Sequence, residues 1–204
     1  MNPRVGIIDY ECGNIGSLVK AFSFIECDVQ IIQDGKINNC SHLVLPGVGS
    51  FSQGSKYIFK SKNLLNVITS HFKEGKPLLG ICLGYQLFSK KGIEGGLSKG
   101  FGFVDADCKH LSEIMDTRTI KIPNVGFHRV SSDTSTLNLK NNCYYFVHSY
   151  ALEFKKVPQS VQKIALGKKE INIGFQLNNL WGFQFHPEKS QILGLNLLKE
   201  FISI

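Results

Sequence analysis

The hydrophobic and polar positions of the first ninety residues predict strands that alternate with helices. Four short apolar runs, at residues 5–9, 28–32, 42–45 and 78–81, are typical of buried parallel strands. Helical spacing of apolar residues follows the first run and returns over residues 57–72. This alternation predicts a doubly wound parallel sheet, in which a functional site is expected at the carboxyl ends of the strands.

Beyond residue 92 the pattern changes to short β-like runs, which predict a mostly antiparallel portion. The runs cover residues 102–108, 119–122, 125–130, 144–148, 162–166 and 171–177. A further strand is predicted at 180–185, and a helix at 190–204. Since no repeat, low-complexity tract or linker interrupts the chain, we expect one domain over residues 1–204.

The composition is that of an ordinary globular protein. The chain has 204 residues, of which 43% are hydrophobic and 19% charged, enough for a sizeable core. No run approaches the roughly 18–20 apolar residues of a membrane span, and the first residues lack the apolar stretch of a signal peptide. We therefore expect a cytoplasmic protein with no membrane partner.

Neither the charge nor the cysteines indicate a nucleic-acid, metal or disulfide function. The net charge is +7, but the lysines occur in separated pairs with no aromatic-rich basic stripe. This favours a solvated surface, one that could meet an acidic partner, over a nucleic-acid site. The six cysteines are scattered and form no C-x-x-C pair, so neither zinc nor a disulfide framework is predicted.

A Gly-Ile-Cys-Leu-Gly stretch at residues 80–84 places a thiol between a predicted strand and a predicted helix. This is the cysteine version of the nucleophile elbow, in which small neighbours allow strand and helix to pack closely. The helix N-terminus would stabilise a Cys82 thiolate, and the Leu83 N–H could face a developing oxyanion. The alternative is that Cys82 is a buried core thiol.

A Gly-Phe-Gln-Phe-His-Pro-Glu stretch at residues 182–188 favours the catalytic interpretation. A thiol nucleophile needs a base, and the base needs a group that fixes its tautomer. His186 and Glu188 supply both, and Pro187 ends the strand before them. Cys82, His186 and Glu188 are therefore the predicted catalytic triad.

These two motifs together resemble those of the class I (triad) glutamine amidotransferases, and the resemblance covers nearly the whole chain. The spacing of 186 − 82 = 104 residues suits a single domain of that family. The resemblance implies an α/β, Rossmann-like domain with a central, mostly parallel sheet flanked by helices and a smaller antiparallel β portion. It also implies hydrolysis of L-glutamine to glutamate and ammonia, without a metal or an organic cofactor.

A Leu-Pro-Gly-Val-Gly-Ser-Phe stretch at residues 45–51 is most similar to the glutaminase subunits of imidazole glycerol phosphate synthases. Its glycines free the backbone at the end of a strand, so Val48 or Gly49 could supply a second oxyanion N–H; a plain turn is the alternative. The resemblance also implies that Gly47 contacts substrate. It further implies a heterodimer with a (β/α)8 cyclase-type subunit, which receives the ammonia for histidine biosynthesis.

The resemblance implies three further substrate-binding residues. Gln86 lies one helical turn after Cys82, on the same face, and would hold the amino-acid end of glutamine. A Tyr-Phe-Val-His-Ser-Tyr segment at 145–150 brings Ser149 and Tyr150, which would hold the α-carboxylate and the ammonium. We expect His148, within that segment, to be a structural histidine and not a second base.

One segment departs from the family pattern and leaves alternatives open. Residues 123–128 read Pro-Asn-Val-Gly-Phe-His, where the histidine-pathway enzymes usually have Pro-His-Met-Gly-Trp-Asn. The chain could therefore supply ammonia to another acceptor, such as a nucleotide-sugar or surface-polysaccharide synthetase. A cysteine hydrolase or peptidase and a catalytically silent regulator are two further alternatives, and the complete triad argues against the silent regulator.

Overall fold

The computed structural model describes residues 3–116, 118, 120–133, 137, 139–158 and 160–204. Within these residues the chain forms thirteen strands, six α-helices and one 3-10 helix at Pro187–Lys189. The strands are β1 (Arg4–Ile8), β2 (Asp28–Ile32), β3 (His42–Leu45), β4 (Leu78–Ile81), β5 (Lys91–Gly92), β6 (Ser98–Lys99), β7 (Ala106–His110), β8 (Asn124–Asp133), β9 (Cys143–His148), β10 (Tyr150–Phe154), β11 (Val161–Leu166), β12 (Lys169–Leu177) and β13 (Leu180–Phe183). The α-helices are α1 (Ile15–Phe24), α2 (Phe51–Lys60), α3 (Lys62–Lys73), α4 (Leu83–Leu87), α5 (Leu111–Ile114) and α6 (Gln191–Ile202).

Nine strands form one mixed sheet in the order β2-β1-β3-β4-β13-β12-β11-β8-β9. The pairings from β2 to β13 are parallel, and those from β13 to β9 are antiparallel. Tyr145 of β9, the last strand, forms an antiparallel bridge with His186, which follows β13. The antiparallel end of the sheet therefore curves back toward its middle. The predicted parallel and antiparallel portions are both confirmed.

A second sheet has the order β10-β7-β5-β6 and covers part of the first. The chain passes directly from β9 in the large sheet to β10 in the small one, with only Ser149 between them. This change of sheet places Ser149 at the junction of the two layers.

The core consists of two apolar clusters on opposite faces of the parallel strands. Val44 and Leu79 belong to the cluster that contains α1 and α6, whereas Leu43, Leu45 and Leu78 belong to the cluster that contains α2, α3 and α4. Successive strand residues point to opposite faces, so both faces need apolar side chains. This explains the continuous apolar runs in the sequence.

The prediction of a single helix over residues 57–72 is wrong. The chain forms α2 and α3, separated by Ser61, whose backbone is extended with φ −86° and ψ 97°. The Ser61 hydroxyl accepts a hydrogen bond from the Leu64 N–H at 3.3 Å and caps α3. The apolar spacing continues across this break, which hides it in the sequence.

The strand predicted at 119–122 is also wrong for the residues that are described there. Thr119 lies outside the described residues, and Ile120, Lys121 and Ile122 form no strand. The next strand, β8, begins only after Pro123, which has no N–H to donate to a sheet.

None of the helices in the part of the chain that the structure describes has the length and apolar character of a membrane span.

Candidate active site

Cys82 occupies the turn between β4 and α4, at the carboxyl edge of the parallel strands. Its φ of 52° lies in the left-handed region that non-glycine residues rarely adopt. Two backbone hydrogen bonds hold this conformation: the Cys82 N–H donates to the Phe183 carbonyl at 2.8 Å, and the Cys82 carbonyl accepts from the Gln86 N–H at 3.0 Å. The thiol is 7% exposed, so it borders solvent without projecting into it.

The two glycines of the turn allow this close packing. A Cβ on Gly84 would collide with the carbonyl oxygen of Leu45, on the neighbouring strand. A Cβ on Gly80 would lie 2.8 Å from the Tyr85 backbone nitrogen and would also collide with the Phe88 ring. The sequence argument for small residues on both sides of the thiol agrees with these contacts.

His186 and Glu188 form a buried pair directly after β13. His186 Nδ1 lies 2.8 Å from Glu188 Oε1, and the two side chains are only 2% and 3% exposed. Because an ionised carboxylate can only accept, Nδ1 carries the hydrogen and donates it. The Nε2 atom is buried and makes no hydrogen bond of good geometry to a described residue. The pair therefore presents Nε2 as the nitrogen available for proton transfer.

The electrostatic surroundings of His186 favour its protonated form. Burial alone would lower the pKa of His186, but interaction with Cys82 and the hydrogen bond to Glu188 together outweigh burial and raise that pKa to about 9. Although Cys82 and Nε2 are not aligned as a hydrogen bond, the sulfur is close enough to act through its charge. An imidazolium beside a thiolate is the state from which a cysteine nucleophile attacks.

The glycine loop at residues 46–49 lies beside this turn, with a carbonyl directed toward it. The Leu83 N–H donates to the Gly47 carbonyl at 3.3 Å, and the Tyr10 hydroxyl donates to the Pro46 carbonyl. Since the Gly47–Val48 peptide is trans, the Val48 N–H points away from Leu83. The predicted oxyanion donors are therefore neighbours, but the Leu83 N–H is occupied by a protein carbonyl.

A cavity of about 330 Å³ connects the thiol with the predicted substrate-binding residues. Its lining includes six of the residues predicted from the sequence: Val48, Gly49, Cys82, Gln86, Ser149 and Tyr150. Pro123 and Val147 also line it, and Pro123 is the first residue of the segment that departs from the family pattern. The volume suits a small ligand such as an amino acid.

His148 is a structural histidine, as expected, and both of its ring nitrogens have hydrogen-bond partners. It lines the cavity, but its Nδ1 lies 2.8 Å from the Tyr150 carbonyl and its Nε2 lies 2.9 Å from Asn124 Nδ2. Burial lowers the pKa of His148 to about 4, so its imidazole is neutral at pH 7. With Nδ1 donating to a carbonyl, Nε2 accepts from the Asn124 amide, and neither nitrogen is free to act as a base.

Two polar residues of the site were not predicted from the sequence. Glu94 lines the cavity, and its carboxylate accepts a hydrogen bond from the Phe51 N–H at 3.1 Å. Burial raises the pKa of Glu94 above its ordinary value. Gln184 is fully buried, and its Nε2 lies 3.6 Å from Cys82 Sγ. A polar residue inside the apolar run 180–185 was the one signal that could have identified Gln184.

The described residues contain no cluster of three or more histidine, cysteine, aspartate or glutamate side chains arranged to hold a metal ion.

Comparison with known proteins identifies the family of the chain. The family model described as "Glutamine amidotransferase class-I" matches residues 7–203. The "Imidazole glycerol phosphate synthase subunit HisH" of Streptococcus mutans is 35% identical over 97% of this chain and 98% of its own. The protein of the same name from Caldanaerobacter subterraneus is 38% identical over 97% of this chain and 96% of its own.

Solved structures share the fold at lower identity. The structure titled "Structure of PurLQS from Thermotoga maritima" matches with a TM-score of 0.70 and 16% identity, over 100% of this chain and 99% of that one. A crystal structure titled as a glutamine amidotransferase gives the same TM-score and identity over 98% and 99% of the two chains. These similarities confirm the predicted α/β fold class. Together with the family match over residues 7–203, they show that this chain belongs to the class I glutamine amidotransferase family.

Proposed function

We propose that this chain is the glutaminase subunit of an imidazole glycerol phosphate synthase and hydrolyses L-glutamine to glutamate and ammonia. The observation that carries the proposal is that Cys82 lines a 330 Å³ cavity and interacts with the buried His186–Glu188 pair. Relatives at 35% and 38% identity, both named as that subunit, support this acceptor over a nucleotide-sugar or surface-polysaccharide synthetase.

The reaction proceeds in two half-reactions at the thiol. The Cys82 thiolate attacks the side-chain amide carbon of glutamine and forms a tetrahedral intermediate. His186, which holds the proton, gives it to the departing nitrogen, so that ammonia leaves and a thioester remains. Water then attacks the thioester, His186 accepts a proton from that water, and the C–S bond breaks. The products are glutamate, ammonia and the regenerated thiolate, and Glu188 holds the imidazole in one tautomer throughout.

Backbone N–H groups stabilise the oxyanion of each tetrahedral intermediate. The Leu83 N–H is one donor, and the second comes from Val48 or Gly49. The Gly47 carbonyl, which accepts from Leu83 in this structure, has to rotate away before both donors face the substrate. This rotation would turn the Val48 N–H inward, because the carbonyl and the N–H of one peptide point in opposite directions.

The same cavity holds the amino-acid end of glutamine. Gln86, Ser149 and Tyr150 line it, and Gly47 directly precedes the lining residue Val48. Glu94 supplies a carboxylate that pairs with the α-ammonium group. This arrangement leaves the side-chain amide of the substrate directed toward Cys82.

The ammonia passes to a (β/α)8 cyclase-type subunit in a cytoplasmic heterodimer. Free ammonia is protonated in bulk water, so a docked acceptor is needed to use it. Val48 lines the cavity, and Val125 and Phe127 follow shortly after Pro123, which also lines it. The three residues are each about half exposed, at 48%, 53% and 51%. Exposed apolar groups of this kind mark an interaction surface. Val125 and Phe127 stand where the histidine-pathway enzymes usually have Met and Trp, so the departure keeps the apolar character of this surface.

The test is turnover by the purified chain together with its cyclase-type subunit. With glutamine or with an ammonium salt, the complex should convert the cyclase substrate to imidazole glycerol phosphate. The Cys82→Ala complex should do so only with the ammonium salt. Synthesis from glutamine by the Cys82→Ala complex would contradict the proposed nucleophile. Transfer of ammonia by the native complex to a sugar acceptor, and not to the cyclase substrate, would contradict the pathway.

A further inference from the structure

Gln184 is a buried amide that the proposed triad chemistry does not use. It follows β13, its side chain is fully buried, and its neighbours Phe183 and Phe185 are fully buried aromatic residues. Its backbone N–H donates to the Ile173 carbonyl at 2.7 Å. The side-chain amide needs hydrogen-bond partners of its own. A buried amide is costly unless its polar atoms have partners. The partners of the Gln184 side chain therefore indicate its role.

Both ends of the Gln184 amide are engaged, and one partner is the nucleophile. Its Oε1 lies 3.0 Å from Gln86 Nε2, and its Nε2 lies 3.6 Å from Cys82 Sγ. The longer distance to sulfur is consistent with the larger acceptor atom. A thiolate accepts such a bond more strongly than a neutral thiol, because the bond is then charge-assisted.

The direction of this bond is fixed by a backbone carbonyl. The Gln86 side chain lies 3.0 Å from the Tyr150 carbonyl oxygen, which can only accept. The Gln86 atom at that position must therefore be its NH₂ group, and its second hydrogen is directed at Gln184. Gln184 must then present its oxygen to Gln86, which leaves its NH₂ group facing the sulfur of Cys82.

We propose that Gln184 is a positioning residue for Cys82, in that its amide donates a hydrogen bond to the sulfur and stabilises the thiolate, while Gln86 fixes the amide's direction. The inference rests on the proposed function only in taking Cys82 as the nucleophile. Gln184 contacts the sulfur on one side of the turn, and His186 provides the positive charge. The sulfur is thereby held by two groups that belong to the same short segment after β13.

The first test compares Gln184→Met with the matched control Gln162→Met. Methionine keeps the length of the side chain but cannot donate. Gln162 is an equally buried glutamine on β11, two strands from β13 in the same sheet. For each protein, the thiolate absorbance near 240 nm is followed against pH, with the corresponding Cys82→Ala protein as the blank.

In Gln184→Met the thiolate band of Cys82 should develop at a pH about one to two units higher than in the wild type, as expected for loss of a hydrogen bond to a charged group. The Gln162→Met protein should match the wild type. No change in Gln184→Met would overturn the proposal. An equal change in both variants would also overturn it, because the cause would then be a general loss of buried packing.

The second test does not require a Gln184 variant to fold. In ¹⁵N-labelled protein, the Gln184 side-chain amide resonances should shift on going from the wild type to Cys82→Ala, whereas those of Gln162 should not. An unmoved Gln184 resonance would overturn the proposal. Neither measurement uses glutamine. A chain that gives both shifts but no glutamine turnover would contradict the proposed function alone, and turnover without either shift would contradict this inference alone.

Discussion

The orientation of the Gly47–Val48 peptide predicts that the chain on its own is a slow glutaminase. The Gly47 carbonyl accepts from the Leu83 N–H, so one oxyanion donor is occupied and the Val48 N–H points away. The perturbation to test is docking of the synthase subunit, which would favour the rotated peptide. Rotation is sterically plausible because Gly47 and Gly49 flank Val48, and Gly49 already has a φ of 135°, which few other residues adopt.

The size of the effect follows from the donors that are lost. Two donors are affected, and loss of even one typically lowers turnover by about 10²–10³-fold, so this factor is the smallest effect expected. That factor corresponds to roughly 3–4 kcal/mol of activation free energy. A partner recovers it if its affinity for the rotated state exceeds its affinity for the resting state by the same amount. Val48, at 48% exposure, is accessible for the contacts that would supply this difference.

The assay is steady-state glutamine hydrolysis by the purified chain, then by the complex, and then by the complex with the acceptor substrate bound. Turnover should rise across this series by no less than about 10²–10³-fold, while the Cys82→Ala proteins give the background at each stage. If the isolated chain already hydrolyses glutamine at the rate of the full complex, the gating argument is refuted. A crystal structure of the fully active complex that retains the Leu83–Gly47 hydrogen bond would refute it as well.

Three further predictions concern the triad and the buried histidine. Cys82→Ala should abolish glutamine hydrolysis but leave ammonia-dependent synthesis by the complex intact; loss of both would show that Cys82 has a structural role instead. His186→Asn should lower kcat by about 10²–10⁴-fold, more than Glu188→Gln does, since the base transfers the proton in both half-reactions; a larger loss in Glu188→Gln would reverse the two roles. Burial lowers the pKa of His148 from its ordinary 6.5 to about 4. Between pH 6.5 and pH 4, His148 is therefore protonated in the unfolded chain but neutral in the folded chain. The free energy of unfolding should therefore fall by up to about 3 kcal/mol as pH decreases from 6.5 to 4; urea unfolding of His148→Gln that shows the same decrease would contradict this assignment.

The parallel half of the fold was predictable because its physical signal is local. Strands that are buried on both faces require continuous apolar runs. Three of the four predicted runs have the same bounds as the observed strands, and the fourth is shifted by one residue. The break at Ser61 was not predictable from periodicity, since the hydroxyl that caps α3 replaces helix hydrogen bonds without interrupting the apolar spacing. The strand β10 was missed because the chain changes sheet at Ser149 without a glycine or proline to mark the change.

Within the site, too, residues in local sequence motifs could be predicted, whereas residues that depend on distant contacts could not. Cys82, His186 and Glu188 could be predicted as the triad because each lies in a short motif whose chemistry is evident from neighbouring residues. Glu94 and Gln184 were missed because their roles depend on contacts between distant parts of the chain, with Phe51 and with Cys82 respectively. No spacing rule in the sequence brings those residues together; the curved sheet and the glycine turn do.

The central claim is that Cys82 is the nucleophile that attacks glutamine, and covalent trapping tests it most directly. The protein is incubated with a glutamine analogue that carries an electrophilic side chain, with and without excess glutamine, and the label is located by peptide mass mapping. The account predicts one label per chain on Cys82, formed in step with the loss of glutaminase activity and prevented by glutamine. Inactivation with the label on any of the other cysteines, or with Cys82 unmodified, would contradict it.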